Sequence, residues 1–276
     1  MGMMILAIIS WTLVSEDTIS SGTVSGNLVV RAEVKPGDPS YFVSVSTPDS
    51  AWRVGVDWKP GIDIQVTDDG CLVLTSSKRM SIYKDGELSW SMDIGPGALP
   101  LVLGEYILVR SNQDIVVYFS SGFKPVGEYE VIPPMDMSEA MVAGIHEGKL
   151  RLYRDKSRDW ALPYEYPRFV ELCQTGVAVA FPHNLVFFDF TGKTLWDKPL
   201  PVSTSALHYG GGLLWVSGTD KETRKAFLWA YSEAGEERWH TEYDNPNEPA
   251  FVSNIYCDGE TLRVFVSRVL YTYRAR

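Results

Sequence analysis

Residues 184–200, NLVFFDFTGKTLWDKPL, decide the fold, because they spell a hairpin whose pattern returns along the chain. The apolar run at 185–190 is too short for a globular helix and suits a buried strand. Thr191-Gly192-Lys193 then supplies a tight turn, in which glycine is free to take the positive φ that such turns need. Trp196 opens a second strand four residues after that glycine. The same arrangement stands at 80–94, MSIYKDGELSWSMDI, with Gly86 and Trp90, and at 227–243, FLWAYSEAGEERWHTEY, with Gly235 and Trp239. A hairpin repeated at a fixed internal spacing signals a repeat architecture, and strands without a helical period select the propeller among those.

Working outward, the tryptophans that open strands are Trp11, Trp52, Trp90, Trp160, Trp196 and Trp239. Neighbouring markers stand roughly 40 residues apart, the length of one four-stranded propeller blade. The gap from Trp90 to Trp160 is nearly double, and residues 115–131, IVVYFSSGFKPVGEYEV, fill it with Val126 where a tryptophan would stand. That makes seven units, each read as strands a to d. The fourth is compressed: eleven residues lie between Gly148 and Trp160, so either this blade has three strands or Trp160 is out of series. The seventh lacks a strand d, and the run at 4–14 with Trp11 supplies it. The expected architecture is all-β, a seven-bladed β-propeller forming one domain over 1–276, its ring closed by the N-terminal strand completing the last blade. Such closure leaves no open sheet edge.

The composition is globular, 45% hydrophobic and 22% charged. A formal net charge of -10 repels phosphate backbones, which argues against nucleic acid as a partner. Three cysteines, Cys71, Cys173 and Cys257, form no CxxC pair and suggest neither a disulfide framework nor a metal site. The N-terminal apolar run follows no Lys or Arg and is shorter than a bilayer span. A cytoplasmic protein without a membrane span is expected.

The segment DFTGKTLW at 189–196, with its tryptophan-bearing copies, resembles the tryptophan-docking repeat of the quinoprotein-like propellers. That family includes pyrroloquinoline-quinone dehydrogenases and the outer-membrane assembly lipoprotein. The resemblance covers the c-d hairpin in four or five of the seven units, and it implies tryptophans packed between adjacent blades. The vicinal cysteine pair that lies beside the quinone in many of these enzymes has no counterpart here, and neither has the lipidated N-terminal cysteine. The chain looks most like a binding scaffold of this family, without cofactor.

No catalytic or metal-binding set emerges. Gly192-Lys193-Thr194 lacks the earlier glycine of a phosphate-binding loop, since Phe187 stands there. His146, His183, His208 and His240 are assigned to an a-b turn, a b-c loop, a strand a and a strand d, which would not converge on a metal. His208 alone is placed to face the central channel. The d-a connections are the unusual feature, because they carry aromatics and methionines where the ring needs only a link. Trp58, Met135, Met137, Tyr164, Tyr166, Phe169 and Tyr243 are therefore the candidate partner-binding residues. Asp136, Glu165 and Asp244 beside them suggest a partner with a basic surface. The function expected is a non-enzymatic scaffold for protein-protein interaction; the alternative is a propeller enzyme, or a carbohydrate- or small-molecule-binding protein, with its site at the channel mouth.

Overall fold

The computed structural model describes residues 11–275 except 19–21, 26–27, 35–39, 47–50, 58–62, 68, 77–78, 95–99, 104, 112–113, 120–122, 124, 139–140, 148, 155–156, 164–166 and 245–248. The regular elements among the described residues are all β-strands, paired into seven four-stranded antiparallel sheets. The chain divides into two compact units, Met1–Thr18 with Tyr166–Arg276, and Ile19–Glu165.

The N-terminal strand β1 (Trp11–Thr18) belongs to the first of these units. The second unit holds four sheets. They are β2 (Gly22–Ser25), β3 (Leu28–Val34), β4 (Ser40–Ser46) and β5 (Ala51–Asp57); then β6 (Asp63–Val66), β7 (Leu72–Ser76), β8 (Arg79–Lys84) and β9 (Glu87–Asp93). Next come β10 (Leu101–Leu103), β11 (Tyr106–Ser111), β12 (Asp114–Phe119) and β13 (Pro125–Tyr129), followed by β14 (Ile132–Met137), β15 (Met141–His146), β16 (Lys149–Arg154) and β17 (Ser157–Pro163). The first unit continues with β18 (Phe169–Leu172), β19 (Gly176–Phe181), β20 (Asn184–Asp189) and β21 (Thr194–Pro199), and with β22 (Ser203–Gly210), β23 (Leu213–Thr219), β24 (Ala226–Tyr231) and β25 (Glu237–Tyr243). Its last sheet takes β26 (Val252–Cys257), β27 (Thr261–Val266) and β28 (Val269–Ala275), and β1 pairs with β28 from Trp11 opposite Ala275 to Thr18 opposite Val269. The N-terminal strand thus completes the C-terminal sheet.

Within each unit the sheets stand face to face, and first strands of consecutive sheets adjoin: β18 beside β22, β22 beside β26, β2 beside β6 and β6 beside β10. Each buried cluster lies between two such sheets. Leu214 and Val216 face Ala178, Phe187 and Leu185 of the preceding sheet, while Trp215 and Leu213 face Val252, Leu262 and Val264 of the following one. The second and third strands are therefore covered on both sides. That is why β19 and β23 read as continuous apolar runs instead of alternating ones.

The tryptophan series has a common structural cause, a β-bulge near the start of strand d. In four sheets one residue of the fourth strand is left over and a tryptophan follows it: Trp90 opposite Ile82, Trp160 opposite Leu152, Trp196 opposite Phe187 and Trp239 opposite Ala230. A bulge bends its strand and re-aims the side chain beside it. Trp90 stacks on Phe123, in the c-d connection of the next sheet, at 5.2 Å and 13°. Trp196 lies against the next c-d turn so closely that a Cβ on Gly235 would come within 3.0 Å of its ring, and its Nε1 donates to the Glu233 carbonyl at 2.7 Å. Trp239 meets Tyr273 of the next sheet edge-on at 5.6 Å. In the third sheet of the second unit, Val126 is the bulged residue itself and Gly127 holds the tryptophan position. Tyr129 fills that space, its ring 2.9 Å from where a Gly127 Cβ would sit, and it packs edge-on against Tyr153 of the following sheet. Two markers fall outside the pattern. Trp52 pairs with Val45 in a regular ladder, and in β1 the residue after the bulge is Ser15, four positions beyond Trp11.

The compressed fourth unit has its four strands. Residues 133–137, PPMDM, expected as a d-a connection, belong to β14, which begins at Ile132 and lies at the edge of the sheet. Pro133 and Pro134 lie where the β14–β15 register shifts, between Ile132 and Asp136, so neither proline has to donate to the ladder.

Candidate functional site

The unit containing 166–276 shows how the d-a and b-c connections share one end of the sheets. Thr204, at the start of β22, reaches back to the preceding b-c turn, its N–H donating to the Pro182 carbonyl and its hydroxyl to the Phe181 carbonyl. The Leu200 N–H donates to the His183 carbonyl at 2.8 Å, and Ala250, ahead of β26, donates to the Arg224 carbonyl at 2.9 Å. The d-a connections ahead of β22 and of β26 are thereby stitched to the b-c turn of the preceding sheet. Such preorganisation lowers the entropy cost of presenting a binding surface.

A polar cleft of about 530 Å³ opens at this end, lined by Arg168, His183, Ser203, Asp220, Lys221 and Glu222 among others. Arg168 is held by Nη1, which donates to Ser203 Oγ and to the Thr204 carbonyl, each at 2.8 Å. Asp220 is occupied by its own loop. It accepts from the Thr223 hydroxyl and the Glu222 N–H at 2.8 Å and from the Thr223 N–H at 3.4 Å. These bonds, the Thr223 hydroxyl foremost, hold its carboxyl below the ordinary range. Nearby, Phe251 is 48% exposed, and its backbone is tied to the turn at Ser267.

The opposite ends of the same sheets are linked through Glu233 in the c-d turn before β25. Its carboxylate accepts from the backbone N–H groups of Gln174 and Thr175 and from the Thr175 hydroxyl. Burial, together with a hydrogen bond to Glu233, pushes the Tyr209 hydroxyl well above its ordinary value. Along the first strands, Glu171 of β18 accepts from the Tyr209 N–H at 2.7 Å and lies 3.3 Å from His208 Nδ1. His208 Nε2 is buried with no partner among the described residues, and a Cβ on Gly210 would lie 2.7 Å from it. His208, partly buried, thus ties β18 to β22, with Nδ1 toward Glu171 and Nε2 turned inward.

Of the residues expected to bind a partner, Met135, Met137 and Tyr243 are corrected to core positions. Met135 and Met137 are buried between the sheets of Tyr106 and Tyr153, because β14 is a strand and turns them inward. Tyr243 ends β25, packs under Val252 and Tyr273, and accepts a hydrogen bond from the Tyr273 hydroxyl at 3.2 Å. Phe169 is half-buried against the cluster of Ala178, Phe187 and Leu214. Trp58, Tyr164 and Tyr166 lie outside the described residues. His146, expected in an a-b turn, ends the second strand β15, where the chain turns from b to c, and no group of three His, Cys, Asp or Glu suited to a metal is found among the described residues.

Sequence reasoning passed over Arg168, Lys221 and Phe251. The first two look like ordinary solvated charges, and Phe251 reads as the start of a strand. Arg151, also missed, is a buried cation in β16, with Nη1 3.3 Å from Glu130 and 3.4 Å from the Tyr153 hydroxyl and Nη2 3.4 Å from Glu147.

Face-to-face antiparallel sheets with adjoining first strands define a β-propeller. No protein-family profile matches the chain, and no curated protein matches it by sequence. Solved β-propellers match in structure. BamB from Moraxella catarrhalis superposes with a TM-score of 0.62 at 11% identity, covering 96% of this chain and 100% of its own. Virginiamycin B lyase from Staphylococcus aureus gives 0.63 at 13% identity, covering 96% and 99%. BBS1N, solved in complex with ARL6DN, gives 0.63 at 16% identity, covering 96% of each chain. At these identities the likeness carries the fold alone. No helix among the described residues is long and apolar enough to cross a membrane.

Proposed function

We propose that the chain is a non-enzymatic propeller scaffold that docks a protein partner on the end formed by its d-a and b-c connections. The observation that carries this is Phe251: a large aromatic held exposed by two hydrogen bonds to the turn at Ser267, on an end whose connections are stitched together. BBS1N, of similar fold, was solved bound to a protein, ARL6DN. Trp58, Tyr164, Tyr166 and the exposed edge of Phe169 are further aromatic contacts in this reading. The net charge of -10 favours a partner whose facing surface is basic. Cytoplasmic residence fits three buried free thiols.

The same reading takes the seven sheets as seven blades of one ring and one domain, closed where β1 joins β28. It takes the bulge-borne tryptophans as the docking repeat of a quinoprotein-like propeller without cofactor, supported by the contacts of Trp90 and Trp196 with the next c-d connection. The test is affinity capture by the full chain from its native extract, repeated with Phe251→Ala. A partner retained by the wild type and lost by a variant with an unchanged melting curve is expected; a partner retained equally by both moves the site off this end.

A further inference from the structure

The seventh sheet differs from the rest in where its fourth strand comes from. In the other six, strand d follows strand c after two to five residues, so it is held by a hairpin as well as by its ladder. β1 has no such tether, since it pairs with β28 alone and leads on to β2. Its departure would break no hairpin. β26, β27 and β28 would remain, because they keep their own ladders and bury Val252, Leu262, Val264 and Tyr273 in one cluster with Trp215 and Leu228 of the preceding sheet. What β1 pairs with is thus a standing edge, whose backbone groups along Val269–Ala275 can receive an incoming strand.

We propose that this edge is an interaction site for a second copy of the chain, whose β1 takes the place of the resident strand. The edge is selective. Its ladder runs from Trp11 opposite Ala275 to Leu13 opposite Tyr273, skips Val14, and resumes with Ser15 opposite Thr272. A strand without a bulge at that step carries every side chain beyond it to the opposite face. The strand that fits is β1, and another copy brings the same one. Exchange is neutral in contacts, since each copy gives one strand and receives one, so concentration decides it. A strand tethered beside its own groove competes at an effective concentration on the order of millimolar. The chain therefore keeps its own β1 when dilute and trades it where copies are crowded to about that level.

The test mixes two full-length variants, Thr12→Cys and Arg274→Cys, whose positions face each other across the ladder, in a chain whose native thiols are buried. A chain carrying both substitutions forms the disulfide internally and keeps the wild-type far-UV spectrum. In the mixture, oxidised after incubation at about ten micromolar or about one millimolar, the disulfide joins two chains, with a yield at least about tenfold greater at the higher concentration. Light scattering shows dimers of the wild-type chain there. Asp17→Cys, whose partner in the ladder is Leu270, joins Arg274→Cys only at the background of random collision. No mixed disulfide at the higher concentration, an equal yield from the mismatched pair, or no internal disulfide in the double variant each overturns the exchange. The scaffold reading is scored separately, by partner loss with Phe251→Ala.

Discussion

Replacing Trp196 with alanine tests the docking of one sheet on the next. Its indole stacks on Phe187 at 5.3 Å and 8°, approaches Tyr231 at 6.5 Å, and donates to the Glu233 carbonyl at 2.7 Å. Truncating a fully buried tryptophan costs about 3–5 kcal/mol, and Trp196 is half-buried, which places it at the lower end, about 3 kcal/mol. Within that, the indole hydrogen bond contributes about 1 kcal/mol and the aromatic contacts about 1 kcal/mol. Trp196→Phe keeps most of the stacking and loses the donor, so it costs about 1–1.5 kcal/mol. Urea denaturation followed by far-UV circular dichroism measures both. An alanine variant with an unmoved midpoint, or a phenylalanine variant as costly as alanine, refutes the contact as a source of stability.

Removing residues 1–18 deletes the β1 partner of β28, and the whole chain is expected to melt as one transition at a lower temperature; an unchanged melting temperature, or two separate transitions, contradicts a single closed ring. Burial raises the Cys71 and Cys257 thiols from 9.0 to about 11. Both hold their protons more tightly folded than unfolded, so stability is intact below pH 9, falls as pH rises toward 11, and falls less in a Cys71→Ala, Cys257→Ala variant when urea midpoints at pH 8 and pH 10.5 are compared. Met135→Ala is expected to cost about 2–5 kcal/mol of stability, as a core residue does; a purely binding phenotype would return it to the surface.

The hairpin and repeat were legible because each strand is short, each sheet is built from consecutive strands, and a bulge sets Trp90, Trp160, Trp196 and Trp239 in equivalent places. The N-terminal strand was legible for the same reason, since the last three strands lacked a fourth. β14 was not, because two prolines signal a loop and only the register shows that they sit at a bulge on a sheet edge. That misreading put Met135 and Met137 on the surface. Tyr243 was misplaced by its closeness to the strand end, although it still packs under Tyr273. The cleft was illegible in principle. Arg168, His183 and Lys221 come from three connections spread over more than fifty residues, and no spacing in the sequence brings them together.

The most direct measurement is photo-crosslinking in the native cell, with a photoreactive residue at position 221 on the b-c loop or at position 191 in the c-d turn. A discrete protein adduct from 221, absent from 191 and reduced by Phe251→Ala, is the predicted result. Equal adducts from both positions, or an adduct from 191 alone, contradicts docking on the d-a and b-c end.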